Sequence, residues 1–330
     1  MLRFPAAVRL TAALLCLLWL GGCASQLPAS RMATLTDSLP VSTELRDVPF
    51  YPQELYQCGP AALATVLNYH QRPVSPETLV PQIYIPERQG SLQIEMKVAT
   101  RRYGLPAFEG PDDLDGLLAE IAAGHPVIVL QNLGLDWFPQ WHYAVAVGYN
   151  LSEQVLILRS GTEKRRITPL GLFERTWSRG GYWSLLMLPP QVLPIQIEPV
   201  NAVRAALELE ASSAEAARQS LQASARRWPD HYLVQMASGN AELTAGQAAS
   251  ASSAFRRALE LKPGAADAWN NLAYSLEAEG CGVPARDAIA CARALAPKSG
   301  QIRESARELM EKPVVTYDQC DALPSCPAAP

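Results

Sequence analysis

Apolar and polar residues follow three different rhythms along the chain. The first is an unbroken apolar run from Leu10 to Leu20, behind Arg3 and Arg9 and ahead of Gly21-Gly22-Cys23. A charged start, a short apolar middle and a small-residue exit make a secretory leader. The run is shorter than the roughly 20 residues a membrane-spanning helix needs. Residues 24–43 hold no sustained period and are rich in Ser, Pro, Thr and Leu, which predicts a flexible tether.

The second rhythm, over about residues 45–190, mixes helical and strand periods. Ala61–Leu67 is an apolar helical run behind Gly59-Pro60, and proline suits a first helical turn. Pro73–Pro86 is a proline-rich stretch. Ser91–Tyr103 reads as a helix stopped by Gly104. Asp112–Ala123 reads as another, with Leu114, Leu117, Leu118 and Ile121 on one face and Gly124 at its end. Strand patterns follow at Pro126–Leu130, Trp141–Tyr149, Val155–Leu158, Arg165–Thr168 and Tyr182–Leu188. Helices first and strands later predict an α+β fold with an antiparallel sheet.

The third rhythm begins after Pro189-Pro190. Pro229, Pro263 and Pro297 stand 34 residues apart, and three columns keep the same spacing: Ala217, Ala251, Ala285; Leu221, Phe255, Ile289; and Ser224, Ala258, Ala292. Small residues let helices approach closely, the larger column fills the gap between them, and proline ends each second helix. The pattern resembles three tetratricopeptide repeats at 198–231, 232–265 and 266–299. Gln301–Lys312 is the capping helix such a stack needs. The resemblance implies an all-α solenoid that binds a protein partner or a peptide segment on its concave face.

The domain plan is therefore 1–22 leader, 23–44 tether, 45–190 α+β domain, 191–312 repeats with cap, and 313–330 tail. Hydrophobic content of 48%, charged content of 18% and a net charge of −4 are ordinary for a soluble protein. They exclude the basic face that nucleic-acid binding requires.

Cys58 stands at the start of the Ala61–Leu67 helix, where unpaired N–H groups and the helix dipole favour a thiolate. His142 opens the strongest strand pattern, 84 residues on, so only folding can join the two. A single Cys with a distant His is the general form of a cysteine nucleophile pair. The stretches Gln57-Cys58-Gly59-Pro60-Ala61-Ala62-Leu63 and His142-Tyr143-Ala144-Val145-Ala146-Val147-Gly148-Tyr149 resemble the papain-like cysteine peptidases of the bacteriocin-processing, double-glycine leader type. The resemblance covers about residues 45–190. It implies Cys58 as nucleophile, His142 as general base, an ion pair between them, and Gln53 in the oxyanion hole, with Gln57 as the fallback. It implies no metal and no cofactor, and no Cys/His spacing suggests a metal site.

The sequence departs from that family at the residue that orients the histidine. The family carries Asp or Asn on the next strand; here Leu156-Ile157-Leu158-Arg159-Ser160-Gly161 offers Ser160, with Asn150 and Asp136 as further candidates. A dyad, an unusual triad and an inactive site all remain open. Trp137, Phe138, Trp141 and Tyr143 crowd the histidine as core or as a substrate wall. His70, His125 and His231 read as cap or surface residues.

The leader's exit resembles the bacterial lipoprotein signal, which implies lipidation at Cys23. Ala24 resembles the signal for the outer membrane, so the implied location is the cell envelope, facing the periplasm. Cys281, Cys291, Cys320 and Cys326 suggest disulfides in an exported protein. Cys281 and Cys291 lie too far apart along one helix to bridge, so bonds run from the tail to the third repeat or join Cys320 to Cys326. The leading expectation is a membrane-anchored cysteine peptidase acting on a peptide or protein, with a partner on the repeats. The alternatives are a catalytically inactive binding or scaffold lipoprotein, and a cell-wall peptide amidase or transpeptidase.

Overall fold

The structure is a computed structural model that describes residues 26–52, 57–313 and 320–328. The chain divides into two units. One comprises the chain through Tyr103, Ala107–Met187 and Pro194–Gln196; the other comprises Gly104–Pro106, Leu188–Leu193 and the chain from Ile197 onward.

The first unit is α+β, as its hydropathy pattern predicts. Its main sheet is antiparallel throughout, with strand order β4 (Ala107–Glu109), β9 (Ser184–Met187), β5 (Val127–Asn132), β6 (Trp141–Asn150), β7 (Val155–Ser160) and β8 (Glu163–Pro169). A short β1 (Ser42–Glu44) pairs with the far end of β6. Every residue of β5 is buried, and so is β6 from Tyr143 to Tyr149. Both read as continuous apolar runs because both faces of the sheet are covered. β8 is an edge, exposed from Glu163 to Ile167, and its Lys164-Arg165-Arg166 run blunts that edge against further pairing.

Helix α2 (Cys58–Tyr69) packs on β5 and β6 and is buried from Gly59 to Leu67. Around it stand α3 (Pro76–Ile83), α4 (Gln93–Arg102) and the small hairpin β2 (Tyr84–Ile85) and β3 (Gly90–Ser91). Two further helices, α5 (Leu114–Ala122) and α6 (Leu170–Ser178), pack against β5 and β6 and against β5 respectively. Asp113 caps α5 by accepting from Gly116 N–H at 2.7 Å.

One segment departs from the expectation, which assigns no element to a second. Within the expected tether, Ala29–Ser38 forms helix α1. Tertiary contacts hold it: Leu35 is buried, and the Arg31 guanidinium bonds Asp115 at 3.1 Å and Glu174 at 2.7 Å. The proline-rich stretch holds α3. Ser75 caps it, Pro76 sits at its first turn, and Leu79 and Ile83 bury its inner face. Prolines there mark helix geometry rather than its absence.

The second unit is helical. Its helices are α7 (Pro199–Glu210), α8 (Ala214–Arg227), α9 (Tyr232–Thr244), α10 (Ala248–Leu261), α11 (Ala266–Ala278), α12 (Gly282–Leu295) and α13 (Gly300–Glu311). The second member of each pair starts at 214, 248 and 282, the 34-residue interval of the sequence columns. Phe255 and Ile289 are fully buried, as are Ala251, Ala258 and Ala292. Gly239 has no room for a Cβ, which would stand 2.6 Å from the Phe255 ring. Two disulfides, Cys281–Cys320 and Cys291–Cys326, pin the tail to α12 and its cap.

Candidate active site

α2 begins at Cys58 with its dipole and unused N–H groups aimed at the thiol. The first intrahelical bond runs from Ala61 N–H to Gln57 C=O, and the Gln57 side chain does not cap the helix. Pro60 has no N–H, so Cys58 and Gly59 supply the free donors. The thiol meets both of these backbone groups and that of Tyr143. Gly59 is required by close approach: a Cβ there would lie 2.5 Å from Ser91 Oγ and 2.8 Å from Ser91 Cβ.

His142 enters from β6, opposite Gln131 of β5. Its Nε2 stands 2.8 Å from Ser160 Oγ at the end of β7. The β7–β8 register shifts between Leu158 and Ser160 because β8 carries an extra residue there, so Ser160 keeps its alternation along β7. Asn150 lies at the far end of β6 and accepts from Glu153 N–H. Asp136 is exposed at the tip of the β5–β6 connection. Of the three candidates for orienting His142, the structure brings only Ser160 to the ring. Gln53 and Cys23 lie outside the described residues.

Cys58, His142 and Tyr143 line one cavity of about 1070 Å³. Arg88, Gln89, Gly90, Ser91, Leu92 and Gln93 also line it, and so do Phe138 to Trp141. Among the described residues no carboxylate lines it. Among the described residues no hydrogen bond joins Cys58 and His142 directly; such pairs tighten once a substrate is bound. Tyr143 packs edge-on against Trp183 and donates its hydroxyl proton to Ser91 C=O at 3.1 Å, tying the histidine strand to the β2–β3 hairpin. Ser91, expected to open a helix, stands in β3 instead; the signal for its role is the glycine it presses against.

Burial controls the charge of both groups. It pulls His142 down to about 4, with repulsion from Arg166 adding to the shift. It pushes the Cys58 thiol up, against the opposing pull of the three backbone groups. Both directions favour a thiol beside a neutral imidazole. Both directions run against the expected ion pair, because burial, the largest cause at each group, disfavours the charged form. The other histidines lie elsewhere. Nδ1 of His125 stands 2.7 Å from buried Glu120, which also accepts from Ile195 N–H. His231 precedes α9, and His70 is lowered to about 4 by burial. Among the described residues no group of three or more His, Cys, Asp or Glu could hold a metal ion, and no helix is long and apolar enough to cross a membrane.

Residues 45–184 match the family described as Peptidase_C39 like. The α+β unit is thus peptidase-like, and the family it matches is one of peptidases. Solved structures similar to the chain include a proposed C39-like peptidase from Bacillus anthracis, at 18% identity and a TM-score of 0.39, covering 44% of this chain and 97% of that one. Another is a double glycine motif protease from an AMS/PCAT transporter, in complex with the leader peptide. It is 24% identical with a TM-score of 0.35, covering 43% of this chain and 91% of the other. No curated protein matches the chain.

Proposed function

We propose that the chain is a membrane-anchored cysteine peptidase of the bacterial envelope that hydrolyses a peptide bond through a thioester. The observation that carries the reading is the shared cavity of Cys58 and His142, with His142 Nε2 held by Ser160. An Nε2–H donated to Ser160 Oγ leaves the Nδ1 lone pair free. As Cys58 Sγ bonds the substrate carbonyl carbon, Nδ1 takes the thiol proton, so a neutral resting pair suffices. The carbonyl oxygen becomes an oxyanion facing the Cys58 N–H and the Gln53 amide. Collapse breaks the C–N bond, and the departing amine takes the proton from His142. Water then attacks the thioester, giving up a proton to His142 and releasing the acid and the thiol.

Lipidation at Cys23, with sorting to the outer membrane, follows from the leader; the two disulfides suit an oxidising compartment. The helix pairs fit three tetratricopeptide repeats with α13 as cap, holding a protein partner or presenting substrate. A second reading, a binding lipoprotein with a silent peptidase fold, draws on the absence of a carboxylate beside His142 among the described residues. Labelling by a peptide epoxide separates the two. A covalent adduct at Cys58, lost in His142→Ala, supports the peptidase. Neither adduct nor peptide turnover gives the protein to the binding reading.

A further inference from the structure

The connection between β5 and β6 exposes more apolar surface than a fold needs. Trp137 is 81% exposed, Phe138 64%, Trp141 57%, Leu135 54% and Leu133 43%, all within nine positions. The segment is built rather than loose. Leu133 N–H bonds Gln140 C=O, and Leu135 and Phe138 exchange backbone bonds across a tight turn. Buried Asn132 accepts from Gly134 N–H at 3.0 Å and Gln140 N–H at 2.9 Å, while Arg179 donates to its carbonyl. Gly134 has no room for a Cβ, which would stand 2.4 Å from Phe138 C=O. A rigid hairpin extension thus holds large apolar side chains in solvent, which marks a recognition surface.

Its position selects the occupant. Phe138, Pro139, Gln140 and Trp141 are the residues immediately before His142, and they line the cavity that holds Cys58. In the proposed reaction His142 delivers its proton to the departing amine, so the departing chain must cross the imidazole and run along these residues. We infer that the hairpin is the specificity platform for the leaving-group side, and that substrates carry bulky apolar side chains in the first two positions after the cut. This rests on the peptidase reading, and it adds a substrate class to it.

The test is cleavage of a synthetic peptide library, randomised on both sides of the cut, by the full chain and by the double variant Trp137→Ala, Phe138→Ala. New N-termini released by the wild type are enriched in Leu, Ile, Phe, Tyr or Trp. The variant lowers the preference for Phe over Ala at those positions by about tenfold, the scale of one lost large apolar contact. Trp137 and Phe138 are largely exposed, so circular dichroism of the variant stays that of the wild type. Cleavage without a leaving-side preference, or an unchanged preference in the variant, overturns the platform alone. Absence of any Cys58-dependent cleavage overturns the peptidase reading and the platform with it. An unchanged cleavage profile, together with binding to phosphatidylethanolamine/phosphatidylglycerol vesicles that the variant loses, reassigns the hairpin to the membrane.

Discussion

Ser160 is where this site departs most from a carboxylate-supported histidine, and replacing it tests the proposed chemistry directly. Ser160 is 2% exposed and supplies the 2.8 Å partner of His142 Nε2. Ser160→Ala leaves that ring N–H buried without an acceptor, at a cost of about 1–3 kcal/mol. If the cost falls on the reactive geometry, kcat/KM drops about 5- to 150-fold. Ser160→Asp acts in the opposite sense on charge. An anion against the ring stabilises the imidazolium and raises His142 from its value of about 4. The readout is peptide hydrolysis together with iodoacetamide labelling of Cys58 from pH 5 to 10. Because burial raises the thiol, wild-type labelling climbs on the alkaline side of the ordinary thiol range; a higher pKa means less thiolate at any neutral pH. Ser160→Asp extends labelling toward acid pH, and Ser160→Ala keeps the alkaline limb while losing hydrolysis. Hydrolysis by Ser160→Ala within twofold of wild type would falsify the orienting role. A wild-type labelling plateau reaching down to pH 5 and abolished in His142→Ala would instead restore the ion pair.

Gly59→Ala forces a Cβ to within 3 Å of the Ser91 side chain and costs about 1–3 kcal/mol of stability. Ser91→Gly in the same chain recovers most of that loss in a double-mutant cycle, and a cycle with no coupling energy refutes the contact. Each disulfide closes a loop, of 39 and 35 residues in sequence separation. Cys320→Ser with Cys326→Ser therefore lowers the stability of the helical unit by about 4 kcal/mol for the first loop opened. The second contributes less because the loops overlap. Denaturant melts with and without reductant measure this, and coincident midpoints count against it.

The parts of the sequence that read correctly are those in which one physical demand dominates. The β6 pattern is a strand because its side chains are buried on both faces, and Asp113 and Gly124 frame α5 by cap and left-handed turn. The 34-residue columns survive because each pairs a small residue with a large one in a packed helix pair. What escaped depends on distant partners. Arg31 orders α1 through Asp115 and Glu174, which lie 84 and 143 residues away. Ser91 matters because Gly59 leaves it room. The charge state of the site is not legible in sequence, because a helix N-terminus is visible there while desolvation is not. Ser160 was nameable by position, and the pairing of β6 with β7, which sets Val145 opposite Arg159, is what places its hydroxyl beside the ring.

The neutral resting pair and the disulfides bear on one problem, that of keeping a nucleophilic thiol reduced. Thiolates, not thiols, are oxidised and exchanged into disulfides. Cys58 is the free cysteine among the described residues, and the other four described are committed to bridges. None of those four is left as a thiol partner for it. Burial pushes the Cys58 thiol up, which lowers the thiolate fraction open to small oxidants. The proton then leaves only as the sulfur bonds a carbonyl carbon, toward an imidazole whose free lone pair is fixed by Ser160. Reactivity is thereby tied to occupancy of the cleft rather than to a standing thiolate. Under the proposed function such a design suits a thiol enzyme in an oxidising compartment, and it accounts for the hydroxyl, rather than a carboxylate, that stands beside His142 among the described residues. A carboxylate there would stabilise the imidazolium, and with it the resting thiolate that the burial of Cys58 disfavours.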